Sequence, residues 1–264
     1  MTEPTKVDKK GAGSMGGTKE GNFFGELVKV VVQALLIALV VRTLLFQPFN
    51  IPSGSMIPTL LIGDYLFVSK YAYGYSNHSL PFSPPLFQGR ILASPPKRGD
   101  VIVFKLPRDG QTDYIKRVIG LPGDTIQMKE GRLYINGVIV PRVPIAKVKT
   151  EDFFGREREV PTYEETLPGG VSHRIIEIEG DTGFYDNTGV YKVPPNSYFM
   201  MGDNRDNSTD SRVPPSAGGV GYVPFKDLVG RAEVIFFSVK GEQAWQIWKW
   251  PWDVRWSRLF KHVK

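Results

Sequence analysis

DYIKRVIGLPGD, residues 113–124, sets two cations side by side in an apolar run and then breaks into turn chemistry. In a strand, successive side chains point to opposite faces. Tyr114, Lys116 and Val118 then share one face, and Ile115, Arg117 and Ile119 the other, one cation to each. On an edge strand both cations reach water. In a sheet covered on both sides, one must be partnered and the other can shed its charge. Arginine keeps its proton in proteins whereas lysine can lose it, so Lys116 is the residue able to become a neutral amine. Bringing a lysine pKa from about 10.4 to 7–8 takes roughly 3 units, or ~4 kcal/mol of differential destabilisation of the ammonium. Burial in an apolar pocket supplies that much.

The surrounding chain has the same character. GDYLFVSK (63–70), GDVIVFKLP (99–107) and VGRAEVIFFSV (229–239) are short apolar runs bounded by turns, and they read as strands. RLYINGVIV reads as a hairpin, with Asn136-Gly137 at a tight turn that needs positive φ. The expected fold is mainly β: an antiparallel sheet body built from residues 47–124 and 192–241, with a smaller β subdomain, 125–191, inserted into it. Residues 71–98, rich in Tyr, Ser and Pro, read as a long surface excursion. The charged run KTEDFFGREREVPTYEE in the insert reads as a solvated face.

The composition suits a globular body, with hydrophobic residues at 41% of the 264. There is no cysteine, which excludes a thiol nucleophile, cysteine-ligated zinc and disulfides. The net charge of +6 is compatible with nucleic acid, anionic lipid or neither.

LVKVVVQALLIALVVRTLLF, residues 27–46, is apolar apart from Lys29, Gln33, Arg42 and Thr43. Twenty helical residues at about 1.5 Å each cover a hydrocarbon core of roughly 30 Å. One transmembrane helix is therefore expected over 23–46, the alternative being a buried core helix. No small-residue cleavage site follows it, which favours an uncleaved anchor. Lys6, Lys9, Lys10 and Lys19 precede the run, and no Lys or Arg occurs from Thr43 to Ser69. Cations stay on the cytoplasmic side, so the body is expected outside the cytoplasm and residues 1–22 form a disordered cytoplasmic tail. All five tryptophans fall in AWQIWKWPWDVRW, 244–256, followed by Arg258, Lys261 and Lys264. Trp and basic residues favour the headgroup zone, so residues 242–264 read as an interfacial tail; a packed C-terminal helix is the alternative.

Two loops carry the remaining chemistry. IPSGSMIPTL, 51–60, holds Ser53 and Ser55 between Pro52 and Pro58, and this stiff segment suits either a presented nucleophile or an ordinary turn. A serine nucleophile needs a base. His78, His173 and His262 have no evident orienting acid beside them in sequence. MGDNRDNSTDSR, 201–212, spaces Asp206, Ser208 and Asp210 like a calcium loop. It lacks the glycine and closing glutamate of an EF-hand, so a polar scaffold is preferred and no metal is expected.

In order, PSGSMIPTL with GDYLFVSK, GDVIVFKLP, DYIKRVIGLPGD and MGDNRDNSTDSR resemble the motif series of the bacterial type I signal peptidases, membrane-bound serine/lysine endopeptidases that remove secretory signal peptides. The motifs cover the anchor and roughly residues 45–125 and 192–240. The resemblance implies Ser55 as nucleophile, Lys116 as general base, and an oxyanion hole from the Ser55 N–H and the Ser53 hydroxyl. It further implies that Ser208 orients the lysine amine, that Asp210 and Arg212 pair to support the loop, and that Asp203 and Arg205 are structural. No cofactor is implied. The expected partners are preproteins with small residues at the first and third positions before the cut and the lipid bilayer, with the secretion translocon a further candidate and no nucleic acid. The implied location is the bacterial inner membrane, with the catalytic domain periplasmic.

Three rival readings remain at this stage. A Ser/Lys self-cleaving repressor needs a helix-turn-helix and no anchor. A non-catalytic tethered β-domain leaves the Ser/Lys loops unexplained. A His-dependent esterase needs one of the three histidines at the serine.

Overall fold

A computed structural model describes residues 23–80, 83–84, 89–151, 157–240 and 246–264. The expected cytoplasmic tail, 1–22, lies outside the described residues, as does Trp245. The chain falls into two compact units, one ending at Leu39 and one running from Val40 to Lys264.

Helix α1, Phe23–Leu44, has 22 residues, none of them buried, and is long and apolar enough to cross a membrane. It contains no Pro or Gly after Gly25, Glu26 sits in its first turn and Arg42 in its last, and both charges complement the helix dipole. The chain turns to strand at Phe46, and Pro48 follows on an outer strand, where a missing N–H costs nothing.

The body is built from antiparallel sheets. In chain order the strands are β1 (Phe46–Asn50), β2 (Asp64–Ser69), β3 (Val101–Lys105), β4 (Asp113–Gly120), β5 (Thr125–Lys129), β6 (Arg132–Ile135), β7 (Val138–Ile139) and β8 (Arg142–Glu151). Then come β9 (Glu157–Leu167), β10 (Val171–Ile176), β11 (Tyr191–Lys192), β12 (Ser197–Met201), β13 (Val223–Pro224), β14 (Leu228–Ser238) and β15 (Lys261–His262). The main sheet runs β1-β2-β14-β3-β4-β12-β13, with β15 added against β14. Two smaller sheets, β11-β5-β6-β7 and β10-β9-β8, come almost wholly from residues 125–191. Asn136 and Gly137 take the positive φ of 53° and 78° that the β6–β7 turn demands.

The main sheet is covered on both sides. On β3, Val101 and Val103 enter one apolar cluster with Met56, Leu60 and Leu66, while Ile102 and Phe104 enter another with Val118 and Leu228. Burial of both faces explains why VIVF is a continuous apolar run rather than an alternating one. Strand β4 pairs with β3 from Asp113 to Arg117 but with β12 only from Arg117 to Gly120. Among the described residues, Asp113–Lys116 therefore has one strand neighbour and one open edge.

Two expectations need correction. The excursion 71–98 is not wholly superficial. Tyr73, Ser76 and Ser79 are buried, the Tyr73 hydroxyl donates to Asp100 at 2.8 Å, and Arg90 donates to the carbonyls of Tyr73, Gly74, Phe225 and Leu228. Nor is the charged run before Thr166 uniformly solvated, because Glu165 is buried. The C-terminal segment is docked into the body: β15 pairs with β14, and Arg258 forms an ion pair with the buried Asp64. Trp248, Trp250, Trp252 and Trp256 remain exposed.

Candidate active site

The Pro-bounded loop after β1 folds into a short 3-10 turn, Gly54–Met56. Met56 and Leu60 drop into the core and anchor the loop, and the Leu60 N–H donates to the Met56 carbonyl at 2.9 Å. The loop is also clamped from outside. The Asn204 N–H donates to the Ser55 carbonyl at 3.1 Å, and Asn204 Nδ2 donates to the Gly54 carbonyl at 3.1 Å. Gly202 lies between the two loops, where a Cβ would come within 2.5 Å of the Ser55 carbonyl oxygen. No larger residue fits this approach without a shift.

Lys116, on β4, reaches this loop. Its Nζ stands 2.6 Å from Ser55 Oγ, and the two residues are 4% and 8% exposed. Among the described residues, no other side chain lies within hydrogen-bond distance of Ser55 Oγ. Burial lowers the Lys116 pKa from 10.5 to about 8; the more distant carboxylates of Asp210 and Asp203 oppose that shift only in part. The adjacent Arg117 is 0% exposed and fully paired: Nε donates to Asp203 Oδ1 at 2.8 Å and Nη2 to Oδ2 at 2.7 Å, while Nη1 donates to the Gly99 carbonyl at 2.8 Å. The Thr59 hydroxyl donates to the same carboxylate at 2.5 Å. The strand thus carries one paired cation and one amine held against a hydroxyl.

The 201–212 loop supplies the wall. Asp210 and Arg212 are buried and joined at 3.0 Å (Nε–Oδ1) and 2.9 Å (Nη2–Oδ2), and the Gly202 N–H donates to Asp210 Oδ2 at 3.0 Å. Arg205 pairs with Glu165 of β9, tying this loop to the insert. The other expected participants are less engaged. Ser208 Oγ is buried without a hydrogen-bond partner, so no hydrogen bond joins it to Lys116. Ser53 is exposed at the start of the turn and makes no side-chain cap.

Among the described residues, no histidine side chain hydrogen-bonds to Ser55 Oγ or Lys116 Nζ. His78 Nε2 is 3.9 Å from Asp227, and burial depresses its pKa. His173 Nε2 is 3.5 Å from Glu165, and burial holds its pKa near 4. His262 is exposed on β15. Of the trio Asp206, Ser208 and Asp210, the last is committed to Arg212, while Asp206 joins Glu177 and Asp186 in an acidic cluster. Sequence reasoning missed Asn204, Thr59 and Glu165. Asn204 at least sits inside a motif, but Glu165 meets Arg205 from forty positions away with no local signal.

The family described as signal peptidase, peptidase S26, matches residues 24–237, a range that includes the 71–98 excursion and the 125–191 insert. A signal peptidase I of Rickettsia typhi is 42% identical over 248 residues, covering 87% of this chain and 90% of the relative. One from Rickettsia canadensis is 41% identical over 246 residues, covering 86% and 89%. A crystal structure of a signal peptidase I from Enterococcus faecalis V583 shares 29% identity over 52% of this chain and 97% of its own. Its TM-score of 0.29 is too low to bear on the fold. With an apolar helix of spanning length ahead of the body, these likenesses point to a membrane-anchored protein. The chain belongs to the signal peptidase family, peptidase S26, a family of serine endopeptidases.

Proposed function

We propose that this protein removes N-terminal signal peptides from secretory preproteins, with Ser55 as nucleophile and Lys116 as general base. One observation carries the assignment: a buried lysine amine stands 2.6 Å from a loop-held serine hydroxyl, with no carboxylate hydrogen-bonded to the amine. Neutral Lys116 takes the Ser55 proton as Oγ attacks the scissile carbonyl, and the resulting ammonium gives it to the leaving amine. The same amine then activates water to hydrolyse the acyl-enzyme. Ser55 sits in the first turn of Gly54–Met56, where N–H groups have no acceptor within the turn, so its N–H can meet the developing oxyanion together with the Ser53 hydroxyl.

The open edge of β4 at Asp113–Lys116 suits an extended peptide, which can pair there by main-chain hydrogen bonds and pass its carbonyl to Ser55. Small residues at the first and third positions before the cut fit such a site if its walls exclude larger side chains. Residues 125–191 are on this reading an inserted subdomain that braces the 201–212 loop through Glu165. The cation imbalance across the helix puts the N-terminus in the cytoplasm and the body on the far side of the bacterial inner membrane. The exposed tryptophans of 248–256 rest at the headgroups.

Purified full-length protein in detergent is expected to cut a preprotein bearing alanine at both positions. Ser55→Ala and Lys116→Ala each lower kcat/KM by about 10³-fold or more. Single replacements of His78, His173 and His262 leave cleavage within several-fold. The wild-type rate rises with pH to a limb near 8, because the amine becomes a base only above its depressed pKa. Retained cleavage by Lys116→Ala would overturn the assignment.

A further inference from the structure

We propose that Glu177, Asp186 and Asp206 bind a divalent cation, calcium in preference to magnesium, that ties the 201–212 loop to the end of β10. The three acids come from different segments: Glu177 directly follows β10, Asp186 lies in the connection to β11, and Asp206 lies within the loop. Each offers one ligand oxygen, and the three atoms lie within 4.8 Å of one another. Two oxygens that ligate a common calcium at about 2.4 Å can be no farther apart than that.

The carboxylates are fixed in place yet underused. Glu177 and Asp186 are both 0% exposed, and Glu177 Oε2 and Asp186 Oδ1 have no hydrogen-bond partner. Their second oxygens and that of Asp206 hold the geometry. Asp186 Oδ2 accepts from the Gly183 N–H at 2.6 Å, Asp206 Oδ2 accepts from the Glu179 N–H at 2.7 Å, and Glu177 Oε1 faces Arg142 Nη1 at 3.4 Å. Buried polar atoms are rarely left unpaired, and an ion is one of the usual reasons for an exception.

The nearby guanidiniums are drawn to other acids: Arg142 is shared between Glu177 at 3.4 Å and Asp181 at 2.5 Å, Arg205 pairs with Glu165, and Arg212 pairs with Asp210. The unpartnered Glu177 Oε2 and Asp186 Oδ1 are thus left as acceptors that a cation can bridge. An all-oxygen set without histidine or cysteine suits calcium or magnesium rather than zinc. Magnesium keeps its waters and an octahedron, whereas calcium tolerates an irregular, largely dry cage. The neighbouring main chain already forms a seam, because the Ile176 N–H donates to the Asp203 carbonyl and the Arg205 N–H to the Ile176 carbonyl, each at 3.0 Å. A cation beside this seam locks the loop that carries Ser208 and Asp210.

The test needs no substrate. Full-length protein in detergent, stripped with EDTA, is titrated with calcium chloride by calorimetry and followed by thermal unfolding. Saturable binding is expected with a Kd of about 0.1–1 mM, the range of extracellular calcium modules. The unfolding midpoint should rise by a few degrees at 10 mM calcium and by less at 10 mM magnesium. Asp206→Asn, which keeps an acceptor for the Glu179 N–H, weakens binding at least tenfold and abolishes the midpoint shift. If that variant does not fold, Glu177→Gln serves the same comparison. Absence of binding by wild type up to 10 mM overturns the proposal, and equal binding by wild type and variant places the ion elsewhere.

Discussion

The two faces of β4 carry adjacent cations to opposite ends. Both are buried, Lys116 at 4% and Arg117 at 0% exposure. Arg117 meets a two-pronged carboxylate, Asp203, which matches its charge, with Thr59 and Gly99 completing its shell. Lys116 meets a hydroxyl, and burial then lowers its pKa to about 8. Since both are buried, what separates the two cations is the group that each face supplies, a carboxylate fork for Arg117 and a hydroxyl for Lys116. Neither side chain could take the other's place: guanidinium cannot release its proton at neutral pH, and a compact ammonium cannot fill a bidentate carboxylate fork.

The comparison breaks most readily on the arginine face. Asp203→Ala leaves a buried, unpaired guanidinium and is expected to cost ~3–5 kcal/mol in denaturant unfolding, since removing one partner strands the other charge. A loss below 1 kcal/mol would mean that water reaches Arg117 and that the two faces are not equally dry.

A gain of comparable size is expected on the lysine face. The folded pKa near 8 lies below the unfolded value near 10.5, so the folded chain binds fewer protons between those limits. Wild-type stability therefore rises across that window, and below pH 8 the buried ammonium imposes its full penalty. Lys116→Met removes the penalty and should stabilise the protein by ~3 kcal/mol at pH 7, with the advantage vanishing above pH 10.5. An advantage that stayed constant with pH would show that Lys116 does not titrate differently in the fold.

Ser208→Ala is expected to have the smallest effect. It deletes a buried hydroxyl that has no partner, so stability should hold or rise by up to about 1 kcal/mol. If the hydroxyl turns toward Lys116 once substrate binds, cleavage falls by about tenfold while stability does not. Unchanged kcat and KM would remove Ser208 from the machinery.

Much of this was legible in the sequence because it is local. Strand alternation separated Lys116 from Arg117, the apolar run at Val101–Phe104 marked a strand though not that both its faces are covered, and Asn136-Gly137 specified its own turn. Ser55 and Lys116, sixty-one positions apart, could be paired in advance only through the resemblance of whole motifs. Contacts between motif and insert had no such guide. The Glu165–Arg205 pair and the Glu177–Asp186–Asp206 cluster depend on how the small sheets pack, and a charged residue looks the same in sequence whether it ends in water or in a core. The C-terminal segment illustrates the same limit, since nothing in its composition says that Arg258 would find Asp64.

The half-paired state of β4 has a consequence for selectivity. Four residues open on one side, at about 3.3 Å each, give a ledge of roughly 13 Å, which on the proposed function grips about four residues of a visiting chain. Backbone contacts on that ledge are blind to side chains, so a short gauge of this kind tolerates great diversity among clients. Discrimination is then left to how snugly one or two positions beside the serine are walled, and to whatever delivers the visitor in an unfolded state.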